Sequence, residues 1–102
     1  MTRENVTTSI KAALQQLPYK MDVRLFGSEA RGDARADSDI DLLILLDMGQ
    51  VSLSDEEKIF SVLYPIELQH SIAINPIILS KNGWGKRKTP LYENIEKEGV
   101  AL

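Results

Sequence analysis

The sequence predicts an α/β fold of the mixed, α+β kind, in which a small sheet is covered by helices. Three observations carry this. Strand-like segments occur at Met21–Phe26, Asp39–Leu46 and Ile72–Leu79. Helical spacings of apolar residues stand before, between and after them, in the order α-β-α-β-α-β-α. At 102 residues the chain can hide only about 60–70% of its unfolded surface, enough for one core, so residues 1–102 read as a single domain.

Val6, Ile10, Ala13, Leu14 and Leu17 recur at helical spacing over residues 3–17, and the run stops at Pro18. Met21-Asp-Val-Arg-Leu-Phe26 alternates until Gly27 ends it. Ser28 stands where a helix N-cap belongs, before a short turn of Glu29, Ala30 and Arg31 closed by Gly32. Beyond a polar stretch, Leu42–Leu46 is apolar on both faces, as in a strand in the middle of a sheet. Ser54-Asp-Glu-Glu57 has capping-box spacing. Ile59, Phe60, Leu63 and Leu68 behind it mark a helix that Pro65 is expected to end or bend. Asn75-Pro76 interrupts the next strand and points to an edge or a bulge. Ser80 is placed to cap a short helix through Trp84. Thr89-Pro90 starts the last helix, with Gly99 near its end.

Composition excludes several classes. A hydrophobic share of 43% with 26% charged residues is that of an ordinary globular protein. A net charge of −3 argues against coating nucleic acid by bulk charge. With no cysteine there is no disulfide framework, thiolate zinc site or thiol nucleophile. The N-terminus lacks the apolar stretch of a signal peptide, and no run approaches a membrane-spanning length, so a cytoplasmic protein without membrane contact is expected.

The chemistry lies in Gly27-Ser-Glu-Ala-Arg-Gly-Asp-Ala-Arg-Ala-Asp-Ser-Asp39-Ile-Asp41, where ten residues separate Ser28 from the pair Asp39 and Asp41. Gly27 lets a phosphate approach the backbone, and Ser28 offers a hydroxyl beside exposed amides at the start of a helix. Asp39 and Asp41, two apart on a strand, project from one face. Two carboxylates about 6 Å apart at an effective dielectric of about 20 repel by about 3 kcal/mol, which a proton or a cation between them relieves. A hard divalent ion with oxygen ligands, Mg²⁺ above all, fits this pair and also bridges nucleotide phosphates. A phosphate cradle facing an Asp-x-Asp is the minimum equipment for phosphoryl or nucleotidyl transfer.

The run GSEARGDARADSDIDLLILL resembles the minimal nucleotidyltransferases of the DNA polymerase β superfamily, whose signature is G-S-(ten residues)-D-x-D. Gly27, Ser28, Asp39 and Asp41 match it, and Ala30-Arg31-Gly32 and Ser38 are also similar to the family. The resemblance implies the nucleotidyltransferase fold, a small mixed sheet flanked by helices. It implies Asp39 and Asp41 as the catalytic and Mg²⁺-binding pair, in a one-metal or two-metal arrangement. Gly27 and Ser28 would bind an NTP, with ATP favoured, and Arg31 is a further candidate for its phosphates. The implied reaction moves a nucleoside monophosphate to a protein or nucleic-acid acceptor. Stand-alone members of this length commonly pair with a separate helical protein of the HEPN type and act as antitoxins, some by transferring AMP to the partner.

One departure stands out. The family carries a third acid on a later strand, but Ser71–Leu79 contains no Asp or Glu, and Asn75 is its one strongly polar residue. Glu67, the nearest acid before it, reads as part of the preceding helix. This favours an alternative, a catalytically degenerate module that neutralises a partner without transfer. A second rival is RNA binding by the basic run Lys81, Lys86, Arg87 and Lys88, with Trp84 either stacking on bases or anchoring the core. A calcium loop from Asp37, Asp39 and Asp41 is disfavoured by Leu42 and Met48 at its required Gly and Glu positions.

Overall fold

The computed structural model describes residues 3–35, 38–86 and 88–102; Asp37 of the calcium-loop reading and Arg87 of the basic run lie outside them. The elements are α1 (Arg3–Gln15), β1 (Met21–Phe26), α2 (Ser28–Arg31), β2 (Ile40–Leu46), α3 (Leu53–His70), β3 (Ile74–Ser80), a 3-10 turn (Lys81–Gly83), α4 (Pro90–Glu98) and β4 (Val100–Ala101). The strands form one mixed sheet in the order β3-β2-β1-β4. β1 runs antiparallel to both β2 and β4, while β2 and β3 are parallel, joined through α3.

β2 is central because its side chains are apolar on both faces. Ile40, Leu42, Ile44 and Leu46 pack with Val6, Ile10 and Leu14 of α1 and Ile59, Leu63 and Ile66 of α3. Leu43 and Leu45 point the other way, against Ile95 of α4, Phe26, Ile77 and Trp84. Asp41 is the one β2 residue that is not buried, and it shares the α4 side of the sheet with Leu43 and Leu45. Trp84 is thus a packing residue: its ring lies 4.8 Å from that of Tyr92, and its Nε1 donates to Glu96 Oε1 at 2.8 Å.

Several local expectations shift. The cap of α2 is Gly27, with φ +69°, and Ser28 is the first helical residue; that backbone conformation suits glycine, so the serine moves into the turn. The capping box of α3 is built on Ser52 and Asp55, not on Ser54 and Glu57. Both pairs have the right spacing, and Tyr19, whose hydroxyl donates to Asp55 Oδ1 at 2.7 Å, favours the earlier one. α3 continues through Pro65. Ser61 and Pro65 are both exposed, so the carbonyl that proline leaves without its helical N–H partner lies on the solvent side. Phe60 (46% exposed) and Leu68 (64%) lie outside the core, in line with Tyr64 and Leu53.

The third strand starts at Ile74 rather than Ile72, because Ser71 ends α3 in the left-handed region and the Ile72 amide bonds back to the Glu67 carbonyl. Its Pro76 sits on an edge strand, where the missing N–H is tolerated. The short helix after Ser80 is the 3-10 turn. Past Gly99 the chain returns to the sheet as β4, which no sequence pattern predicts. Among the described residues, no helix is long and apolar enough to cross a membrane.

Candidate active site

The antiparallel pairing of β1 and β2 places Phe26 opposite Asp41, so the turn after β1 begins where the aspartate emerges. Gly27 carries the chain across the carboxylate: a Cβ there would stand 2.5 Å from Asp41 Oδ2. The Gly27-Ser28 turn and Asp41, far apart in sequence, are therefore in contact. In α2 the first amide with an intrahelical acceptor is that of Arg31, bonded to the Gly27 carbonyl at 3.1 Å. The amides of the turn before it lie outside the helix's own hydrogen bonding. Ser28 stands in this turn, half-buried.

Asp39, just before β2, is exposed, and Asp41 is half-buried. Asn75 joins them. The parallel pairing of β2 and β3 sets it opposite Asp41, and its Nδ2 donates to Asp39 Oδ2 at 3.0 Å and to Asp41 Oδ1 at 3.4 Å. The three side chains lie on one face, as alternation along paired strands requires. Neither aspartate pairs with a Lys or Arg among the described residues. No third Asp, Glu, His or Cys joins them there. Glu67 lies in α3, as expected, and its Oε2 accepts from the Ile74 amide at 3.1 Å, securing the start of β3.

Arg31 is exposed and ion-paired to Asp33 at 3.3 Å and to Glu98 at 3.5 Å. Exposed pairs of this kind contribute little, so they do not commit the guanidinium. Two grooves, of about 490 and 250 Å³, lie elsewhere, one between α1, β1 and Leu102, the other beside Trp84 and Tyr92. Neither contains Gly27, Ser28, Asp39 or Asp41, and it is the convergence of chemistry, not of volume, that marks the candidate site.

Residues 8–102 match the family model described as a nucleotidyltransferase domain. The chain belongs to this family. A relative from Methanocaldococcus jannaschii, named "putative protein adenylyltransferase", is 34% identical over 100 residues, spanning 98% of this chain and 90% of the relative. The solved structure of a "putative minimal nucleotidyltransferase" matches with a TM-score of 0.68 and 29% identity, over 100% of this chain and 97% of that one. A chain from the crystal structure of a toxin-antitoxin with AMP-PNP shares the fold, with a TM-score of 0.64, 18% identity and coverage of 95% of this chain and 71% of that one. The minimal-nucleotidyltransferase resemblance of Gly27–Leu46 thus extends along nearly the whole chain. In this nucleotidyltransferase β3, the strand on which the resemblance leads one to expect a third acid, carries Asn75 and no Asp or Glu.

Proposed function

We propose that the chain transfers AMP from ATP to a hydroxyl group of a partner protein. The observation that carries this is the contact between the Gly27 backbone and the Asp41 carboxylate, which joins a phosphate-binding turn to an acid pair. Protein as acceptor is supported by the relative from Methanocaldococcus jannaschii, whose name is that of a protein adenylyltransferase.

The two carboxylates fit Mg²⁺: both offer oxygen ligands, with no basic side chain neutralising them among the described residues. Asp39 and Asp41 would hold the ion, which when bound offsets charge on the triphosphate. Gly27 and the Ser28 hydroxyl and amide hold the terminal phosphates, and Arg31, released from Asp33 and Glu98, adds a charge-assisted contact. The acceptor oxygen forms a bond to the α-phosphorus while the bond from that phosphorus to the bridging oxygen breaks. Pyrophosphate leaves with the electron pair, and the hydroxyl proton passes to water.

The acceptor is proposed to be a separate helical protein of the HEPN type, this chain acting as its antitoxin in the cytoplasm. A toxin-antitoxin structure among the fold's neighbours supports a partner. Phe60, Tyr64 and Leu68, exposed at i, i+4 and i+8 on α3, supply an apolar ridge of the kind that a helical partner covers.

The test is incubation of the chain with labelled ATP, Mg²⁺ and the helical protein, followed by mass analysis of both chains. Addition of one or more AMP groups to the partner, absent with Asp39→Asn or Asp41→Asn, is the expected result. The alternative, neutralisation without transfer, is favoured by Asn75 in place of a carboxylate; full neutralisation by both variants would establish it.

A further inference from the structure

We propose that Asn75 limits this site to a single divalent cation, an inference that rests on the metal reading above. Asn75 occupies the corner of the site that faces both aspartates, with Nδ2 3.0 Å from Asp39 Oδ2 and 3.4 Å from Asp41 Oδ1. An amide there supplies hydrogen-bond donors but no charge. Two carboxylates together with substrate phosphates hold one divalent ion, and holding another at this corner calls for a further anionic oxygen donor from the protein. The described residues offer none: no third acid joins the pair, and Glu67 is engaged by the Ile74 amide.

The amide also does in the cation-free chain part of what a cation does, by donating to both carboxylates at once. The consequence for chemistry is specific. An acceptor hydroxyl entering from the β3 side meets neither a second cation nor a carboxylate base. Its proton leaves to water or to a basic group that the acceptor protein itself carries. Transfer by this chain then depends on what the acceptor brings more than it would with an acid at position 75.

The experiment counts Mn²⁺ bound per chain by electron paramagnetic resonance, with a non-hydrolysable ATP analogue present, in the wild type and in Asn75→Asp. One Mn²⁺ is expected in the wild type, and two spin-coupled ions in Asn75→Asp. The cation-free melting midpoint of Asn75→Asp should fall by several degrees, since a third carboxylate joins the pair, and recover when Mn²⁺ is added. Two ions in the wild type, or one in a folded Asn75→Asp, would overturn the proposal and leave the metal reading standing. No Mn²⁺ in the wild type would overturn both. The wild-type count decides the matter even if Asn75→Asp does not fold.

Discussion

Gly27 and Asp41 are in contact across the β1–β2 pairing: a Cβ at position 27 would lie 2.5 Å from Asp41 Oδ2. The glycine is therefore fixed twice over, by the room the carboxylate needs and by its own φ of +69°. Gly27→Ala forces an L-residue into a positive-φ conformation with ψ −147° that is essentially glycine's own, at about 1–3 kcal/mol, and displaces the Asp41 side chain besides. The melting midpoint should drop by about 5–10 °C. The stabilisation by Mg²⁺ and ATP should disappear as well. Melts with and without the ligands check both parts, and an unchanged ligand response would show that Asp41 has not moved.

Asp39→Asn and Asp41→Asn address the same pair without touching the backbone. Both carboxylates reach solvent, and their shared partner is Asn75, so neither change should prevent folding. ATP and Mg²⁺ at about a hundred times their dissociation constant should raise the wild-type midpoint by about 10 °C or more, from about 2.7 kcal/mol of linkage. Each variant should lose most of that shift. Running all four NTPs in parallel reads base preference from the same experiment.

Much of this arrangement is legible in the chain because it is local. The strand Met21–Phe26, the Gly-Ser turn and the apolar β2 each announce themselves by period or by glycine, and the ten-residue spacing ties them together. The absence of an acid on β3 is legible too. What Asn75 does there is not, because its bonds to Asp39 and Asp41 depend on the parallel register of β2 with β3, and single-strand patterns carry no register. The Arg31–Glu98 pair, 67 positions apart, is invisible for the same reason. β4 has only two residues, too few to show a strand period. The exposed ridge on α3 misled in the other direction: Phe60 and Leu68 look like core in a sequence, and only the packing shows which apolar stripe faces the sheet.

The competing caps of α3 can be separated directly. Ser52 Oγ accepts from the Asp55 amide at 3.2 Å, and Asp55 Oδ2 accepts from the Ser52 amide at 2.9 Å. Ser52→Ala should therefore destabilise the chain by about 1 kcal/mol. Ser54→Ala, an exposed position inside the first turn, should stay within about 0.5 kcal/mol of wild type. Urea titration of the two variants distinguishes them, and equal losses would return the cap to Ser54.

Acid should weaken the fold through two carboxylates whose pKa values are lowered in the folded chain. Asp55 is lowered chiefly by the Ser52 amide, then by the Tyr19 hydroxyl and the Ser52 side chain. Glu96 is lowered chiefly by Arg24, whose Nη1 donates to it at 2.7 Å, and next by the Trp84 indole. A carboxylate whose folded pKa lies below its unfolded value stabilises the fold fully above the unfolded value of about 4. That contribution is lost as pH falls through the lower, folded value. The melting midpoint should thus hold steady from pH 7 to about 5 on account of these groups and decline below about 4. Glu96 links β1, Trp84 after the 3-10 turn and α4, so Glu96→Gln should lower the midpoint at neutral pH and flatten the acid decline. Asp55→Asn should do the same at the start of α3. Melts of the three chains between pH 7 and 2 test this, and an acid slope unchanged in both variants would assign it to other carboxylates.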